Sequence, residues 1–242
     1  MVNIHGYPLD LQKRVERDIA SLILQKSEQY KIDKLAKKYQ VVNSVLCRVI
    51  PALIRKGLLE KVDETTVCIK GLPQANIESV FQYAQKAKLK PSTIVRDVSL
   101  IKADQFLSNK LKVKENGLIY QQIRTRLVDD HVLANQYNFI PFEICPGLEN
   151  VDLSQRSFQV TLEEDYYTVI KRIEETYHFG PQTRDDAEIL SLTENQEVII
   201  VQRMSYSASN MPLVFADIHI NPTQFHYVEN LWPEAARLIQ QK

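Results

Sequence analysis

Glycine is scarce in this chain: Gly6, Gly57, Gly71, Gly117, Gly147 and Gly180 are the six among 242 residues, and no two lie closer than fourteen positions. A glycine-rich phosphate loop needs two or more glycines within about six residues, because the backbone must approach phosphate without a Cβ in the way. Dinucleotide fingerprints and P-loops are therefore excluded. Cysteine is scarce too. Cys47, Cys68 and Cys145 are odd in number, far apart and in no CxxC spacing, which points to free thiols in a reducing cytoplasm. His5, His131, His178, His219 and His226 show no HExxH or HxxxH spacing and no cysteine pair beside them, so no metal site is expected. A GxSxG elbow is missing, and no cysteine stands in a nucleophile context. No catalytic residue and no cofactor follow from the sequence. No apolar run approaches the roughly 18 residues of a membrane span, and the N-terminus lacks a secretory apolar core, so a cytoplasmic protein with no membrane partner is expected.

What is present is a globular composition, 44% hydrophobic and 25% charged, in a 28.0 kDa chain long enough for two domains. The zero net charge hides a split. Residues 1–70 carry 13 Lys/Arg against 8 Asp/Glu, and residues 71–242 carry 17 against 22, so a net of +5 faces a net of −5. A basic small domain on an acidic larger body suits a phosphate-binding head.

In the basic part, Leu11, Val15, Ile19, Leu22 and Ile23 recur at helical spacing; Ile32, Leu35, Ala36 and Tyr39 predict a second, short helix. Ser44–Lys56 predicts a third, with Val45, Leu46, Val49, Ile50 and Leu53 inward, stopped by Gly57. Pro51 removes a backbone bond to Cys47 and predicts a bend. LLEKVDETTVCIK then alternates around Asp63 and Glu64 as a hairpin. Helix, short helix, turn, helix and hairpin is the order of a winged helix-turn-helix, whose third helix enters the DNA major groove. A small helical packing module is the plainer alternative.

Val41–Leu59, VVNSVLCRVIPALIRKGLL, resembles the recognition segment of the GntR family of bacterial transcription regulators. Val41, Leu46, Ile50, Leu53, Gly57 and Leu58 keep its apolar and glycine frame. Its polar readers differ: Val42 and Asn43 stand where the family has Ser and Arg, Val45 replaces Thr, and Cys47 replaces the second Arg. The family's Leu-Pro-Ser-Glu reads Gln29, Tyr30, Lys31 and Ile32, and its wing glycines read Glu64 and Thr66. Arginine to cysteine removes a bidentate cation, and the acidic wing repels phosphate. Lys31, Lys34, Lys37, Lys38, Arg48, Arg55 and Lys56 remain as cations. The residues expected to meet DNA are Lys31, Lys37, Lys38, Asn43, Ser44, Arg48 and Thr65. For Lys37 and Lys38 a solvated helix face is the alternative.

After a connection with a short helix at Ile77–Ala87, the acidic part repeats itself at an offset of about 79 residues. KLKVKENGLIYQQIRTRL from Lys110 aligns with ILSLTENQEVIIVQRMSY from Ile189, placing Arg124 on Arg203, and each copy continues through a polar tip into a second strand. Duplicated hairpins predict one antiparallel sheet with helices on one face, an α+β architecture. A helix over Ser157–Tyr177 is expected between the copies. This order, with AD-FLSNKLKV near Ala103, R-x-R at Arg124 and Arg126, Ile140-Pro141, Asp152–Ser154 and MPLVF at Met211–Phe215, is similar to the UTRA domain. That is the effector-sensing half of the HutC branch of the GntR family, with a chorismate-lyase-like fold. The resemblance implies a winged helix-turn-helix over 1–72, a linker over 73–92, and a UTRA ligand-binding and dimerisation domain over 93–242.

The resemblance also implies a site for a small anionic or polar metabolite between the hairpin units. Arg124 and Arg126, two positions apart on a strand, share a face and can fork onto a carboxylate or phosphate; outward cations paired with acidic neighbours are the alternative. Gln136 replaces a common family Glu and Gln159 a common Tyr. Ser157 matches the family serine at a helix start, where an N-cap is the alternative. Asp217 matches an acidic position, and an exposed strand residue is its alternative. His219 and Tyr227 are weaker candidates. The expected protein is a homodimeric regulator, usually a repressor, with a double-stranded DNA operator and a phosphosugar, carboxylate or similar effector. The alternatives are a sensor whose head has lost operator reading and, by fold analogy alone, an enzyme.

Overall fold

Leu11, Val15 and Ile19 form the buried stripe of α1 (Tyr7–Ala20) in the computed structural model, which describes residues 7–73, 80–153 and 157–241. Leu22 and Ile23 do not continue that stripe. The helix ends at Ala20, Leu22 turns left-handed, and both side chains stand in solvent while Leu24 takes the core position. β1 (Gln29–Lys31) leads into α2 (Ile32–Tyr39), which buries Leu35, Ala36 and Tyr39 as its spacing predicts. Tyr39 then donates its hydroxyl to Asp18 at 2.8 Å, tying α2 to α1. α3 (Asn43–Arg55) buries Leu46, Val49, Ile50 and Leu53 in the same core, and it runs through Pro51 without a break, with the proline on the solvent side. β2 (Leu59–Lys61) and β3 (Thr66–Ile69) form the wing hairpin. β1 pairs with the other edge of β3, a strand too short to show alternation in the sequence.

The second core is built by a duplicated unit larger than the paired hairpins. Its first copy is α4 (Val80–Lys86), β4 (Pro91–Lys102), α5 (Gln105–Leu111), β5 (Leu118–Val128) and β6 (His131–Pro141). Its second is α6 (Phe158–Tyr166), β7 (Arg172–Pro181), α7 (Arg184–Ile189), β8 (Glu197–Tyr206) and β9 (Pro212–Ile220), and α8 (Phe225–Leu231) and α9 (Pro233–Gln241) close the chain. The sheet runs β4-β5-β6-β9-β8-β7, all antiparallel, with Tyr137 opposite Asp217 at the seam between the copies. Joining β6 to β9 satisfies the edge that each three-stranded half would otherwise expose. Positions 77–79 of the expected first helix, and Ser154, lie outside the described residues. No helix among the described residues is long and apolar enough to cross a membrane.

Two expectations about this half need correction. Helices cover both faces of the sheet: α4, α6, α8 and α9 pack on one, while α5 packs on Ile119 and Phe215 of the other, where α7 also lies. The expected helix over Ser157–Tyr177 stops at Tyr166, because Tyr167 adopts φ 50° and the β-branched residues after it feed β7. Ile173 belongs to a strand.

On the α7 face, Thr183 and Asp186 close a capping box, and His219 Nδ1 donates to buried Asp186 at 2.6 Å. Burial opposes the imidazolium, but the hydrogen bond to Asp186 and the nearby Asp217 carboxylate, 3.8 Å from Nε2, prevail and raise its pKa to about 9. Because the folded value exceeds the ordinary one, the stabilisation is complete below about pH 6.5 and is lost as pH rises through about 9, a fall of roughly 3 kcal/mol. Thermal melts across that range should record the fall, and His219→Gln should flatten it.

Candidate functional site

The N-terminal half of α3 is open to solvent. Asn43, Ser44, Cys47 and Arg48 are exposed there, beside exposed Lys31, Lys37 and Lys38 flanking or within α2. None of these four cations is in an ion pair among the described residues. Val42 caps α3 without a side-chain bond, so the first amides of the helix face outward. Thr65 is exposed at the wing tip, but its amide and hydroxyl both donate to Asp63, and those bonds, the amide first, hold that carboxyl below its usual range. Lys61 and Glu64 pair at 2.8 Å. Lys61 thus balances Glu64 within the wing while Asp63 keeps its charge, and the exposed face of α2 and α3 carries Lys37, Lys38 and Arg48, with Lys31 beside it.

Arg55 and Lys56 do not join that face. Both are buried at the end of α3, where they hold the head against the body. Arg55 Nη1 donates to the carbonyls of Leu111 and Pro212 at 2.9 and 3.0 Å, Nη2 donates to that of Lys112 at 3.0 Å, and Nε lies 3.2 Å from the Glu143 carboxylate. Lys56 is fully buried. Its Nζ donates to Glu16 of α1 at 2.6 Å and to the carbonyl of Tyr166, at the end of α6, at 2.7 Å. Burial pushes the ammonium's pKa down, against the opposing pull of Glu16. Gln12 Nε2 donates to Glu16 and to the Glu143 carbonyl, both at 2.9 Å. Gly57, at φ +79°, brings the backbone to within 3.0 Å of Ala208, measured from an ideal Cβ, and Ser209 donates to the Ile54 carbonyl at 2.7 Å. Sequence reasoning counted Arg55 and Lys56 among the cations left on or beside the two helices and missed Glu16. The partners stand 40 to 157 positions away, so no local pattern marks them.

The face of the sheet under α6 holds a cavity of about 60 Å³ whose lining includes Arg126, Gln136, Asn138, Ser157, Arg203 and Trp232, with Gln159 and Phe158 from α6. Four of the six expected effector residues, Arg126, Gln136, Ser157 and Gln159, therefore come together. Arg126 Nε donates to Gln136 at 2.9 Å and Nη1 to Thr93 at 3.1 Å; Gln136 donates to Asn138, and Asn138 to Gln122, at 2.7 and 2.8 Å. Burial and the nearby Arg203 guanidinium lower the pKa of Arg126 to about 10, leaving it charged at neutral pH. Arg203 is paired with Glu175. Arg124 shares the face, as its spacing predicts, but lies fully buried outside the cavity lining, with a single 3.4 Å bond to the Leu153 carbonyl. Its Nε and Nη1 have no partner among the described residues, and burial followed by Arg126 pushes its pKa well down. Ser157 makes no side-chain capping bond to α6 and lines the cavity.

Asp217 is the misplaced candidate. Ala216 and Ile218 line the cavity, and strand alternation sends Asp217 and His219 to the opposite face, beside Tyr137 and α7. Tyr227 packs in the core beside His131. Arg126, held among the described residues by the neutral groups of Gln136 and Thr93, and the Ser157 side chain beside it make a site for an oxyanion. Among the described residues no group of three or more His, Cys, Asp or Glu side chains is placed to hold a metal.

The UTRA domain family matches residues 86–226. No curated protein matches the chain by sequence. Among solved structures the fold is similar to that of PhnF from Mycobacterium smegmatis, with a TM-score of 0.57 at 16% identity, covering 90% of this chain and 95% of that one. The effector domain of PhnF alone gives the same TM-score and identity over 62% of this chain and 93% of its own. The possible transcriptional regulator YydK from Bacillus subtilis gives 0.54 at 17% identity over 90% and 96%. The fold likeness thus extends through the head as well as the body. With the sheet, the cavity and a sequence match over more than half of its length in agreement, this chain belongs to the UTRA domain family.

Proposed function

We propose that the protein is a homodimeric, ligand-responsive DNA-binding transcription regulator of the HutC branch of the GntR family. In this reading the head, up to residue 72, docks on duplex operator DNA, and the body from residue 93 senses a small oxyanion, a phosphate ester or a carboxylate. One observation carries the sensing role: Arg124 and Arg126 are turned inward without a carboxylate partner among the described residues, Arg126 lining a cavity. Unpaired buried cations are costly, and a bound anion removes that cost. The exposed Lys31, Lys37, Lys38 and Arg48 support backbone docking, with Asn43 and Ser44 at the groove. Two heads on a dimer fit half-sites about one helical turn apart. α6 supports communication, because its N-cap Ser157 lines the cavity while the carbonyl of Tyr166, its last residue, accepts from Lys56. Ligand binding then loosens or shifts the head and relieves repression.

Exposed Val42 and Cys47, where the family carries polar readers, favour a second reading in which the head no longer reads an operator. Binding of the full chain to its own promoter region separates the two. The regulator reading expects salt-dependent binding that weakens about 10- to 100-fold in a Lys37→Glu/Arg48→Glu variant. Absence of binding at low salt, with and without phosphate esters, leaves the second reading standing.

A further inference from the structure

Among the described residues, the buried polar atoms without partners on the sheet divide by chemistry between its faces. On the cavity face they are all N–H donors: Gln122 Nε2, Arg124 Nε and Nη1, and the indole Nε1 of Trp232. On the opposite face they are acceptors, Asn135 Oδ1 and Asp217 Oδ1, and the remaining one, Gln182 Oε1 in the loop between β7 and α7, is an acceptor as well. Trp232 is 2% exposed and stands at the joint between α8 and α9, far along the sheet in sequence from Arg126 yet lining the same cavity. It also lines a wider recess of about 440 Å³ with Tyr83, Tyr177 and Asn230, and the two spaces share the wall made by Ile173, Arg203 and Trp232. In that wall Arg203 and the Tyr177 hydroxyl both donate to Glu175, so this carboxylate is already engaged from two sides. A buried indole N–H left without an acceptor is costly, and it is ordinarily paired.

We propose that Trp232 is a second anchor of the effector site. Its indole N–H donates to an acceptor oxygen on a ligand whose anionic group rests on Arg126. The ligand is then an oxyanion ester with a further hydroxyl or carbonyl oxygen, not a bare inorganic anion, and its uncharged part reaches toward the recess between β8 and the α8–α9 joint. This inference rests on the oxyanion reading of the cavity and adds the feature that selects among oxyanions. It also ties the ligand to the C-terminal helices, which otherwise serve only to cover the sheet.

Trp232 is the chain's single tryptophan, so its emission reports on the site without a label. The full-length chain is titrated with inorganic phosphate and with glycerol 3-phosphate, following emission and, by calorimetry, affinity; Trp232→Phe and Arg126→Ala are titrated by calorimetry. Glycerol 3-phosphate should bind the natural chain about tenfold more tightly than phosphate and change the emission. Trp232→Phe should lose that tenfold preference and keep the phosphate affinity, and Arg126→Ala should lose both ligands. Removing an unpaired donor should leave the melting temperature of ligand-free Trp232→Phe close to that of the natural chain. Should the preference survive in Trp232→Phe, or saturation leave the natural chain's emission unchanged, Trp232 is not an anchor and the oxyanion site stands without it. Should neither ligand bind the natural chain, the oxyanion reading itself falls, and this inference with it.

Discussion

Replacing Lys56 by methionine is expected to lower the unfolding free energy by about 3 kcal/mol, because it leaves the Glu16 carboxylate buried beside apolar groups and the Tyr166 carbonyl without its donor. Urea denaturation of the full-length chain measures it. The penalty belongs to the broken pair more than to the charge itself, so Lys56→Met combined with Glu16→Met should recover most of the loss. Recovery of stability need not restore coupling. In the double variant the head keeps its core of α1, α2 and α3 but loses its hold on the end of α6, so DNA binding should persist while its response to ligand shrinks. A single variant that loses less than about 1 kcal/mol would mean that water or a neighbouring group replaces the ammonium, contrary to the burial seen here.

Arg126→Ala is expected to move two quantities in opposite directions. Affinity for an oxyanion should fall about 100-fold, the loss of a charge-assisted bond to a buried anion. The ligand-free chain should melt no lower than the natural one, since the substitution removes a cation crowded by Arg124 and Arg203 and paired only with Gln136 and Thr93. Thermal melts with and without inorganic phosphate measure both at once. A residue holding the fold together would lower both melting curves together. Arg126→Lys should fall between the two, keeping charge while losing the fork that spans Gln136, Thr93 and the cavity.

The head was largely legible because its information is local. Leu35, Ala36 and Tyr39, then Leu46, Val49, Ile50 and Leu53, recur at helical spacing, and helical spacing alone decides which side of a short helix is apolar. The reading failed at Leu22 and Ile23, where two apolar residues continued the period after the backbone had left the helix. It failed in the same way at Ile173, which fits the helical face of Leu162 and Tyr166 but follows a left-handed turn at Tyr167. Periodicity does not register where a helix is cut. β1 escaped notice because three residues are too few to show alternation.

In the site, the i and i+2 spacing of Arg124 and Arg126 placed both on one face, and strand geometry guarantees that much. Alternation also decides that Asp217 cannot join Ala216 and Ile218, but only once the register of β6 against β9 is known. Register is a pairing between strands about eighty positions apart, and a shift of one residue would have exchanged the two faces. Trp232 and Ser157 reach the same cavity for similar reasons, brought there by helices that cover the sheet from different parts of the chain.

The sequence by itself determined the two charge territories, the helical stripes of the head, the duplicated unit and the absence of glycine-rich phosphate loops, since each is a matter of composition or short-range period. Tertiary structure alone decided that Arg55 and Lys56 turn to the body, that Arg124 is sealed while Arg126 opens to a cavity, and that among the described residues every unpaired buried atom on the cavity face is a donor. The cause is physical: a charge takes its role from what surrounds it, and here the surroundings come from elements that meet only when the chain folds.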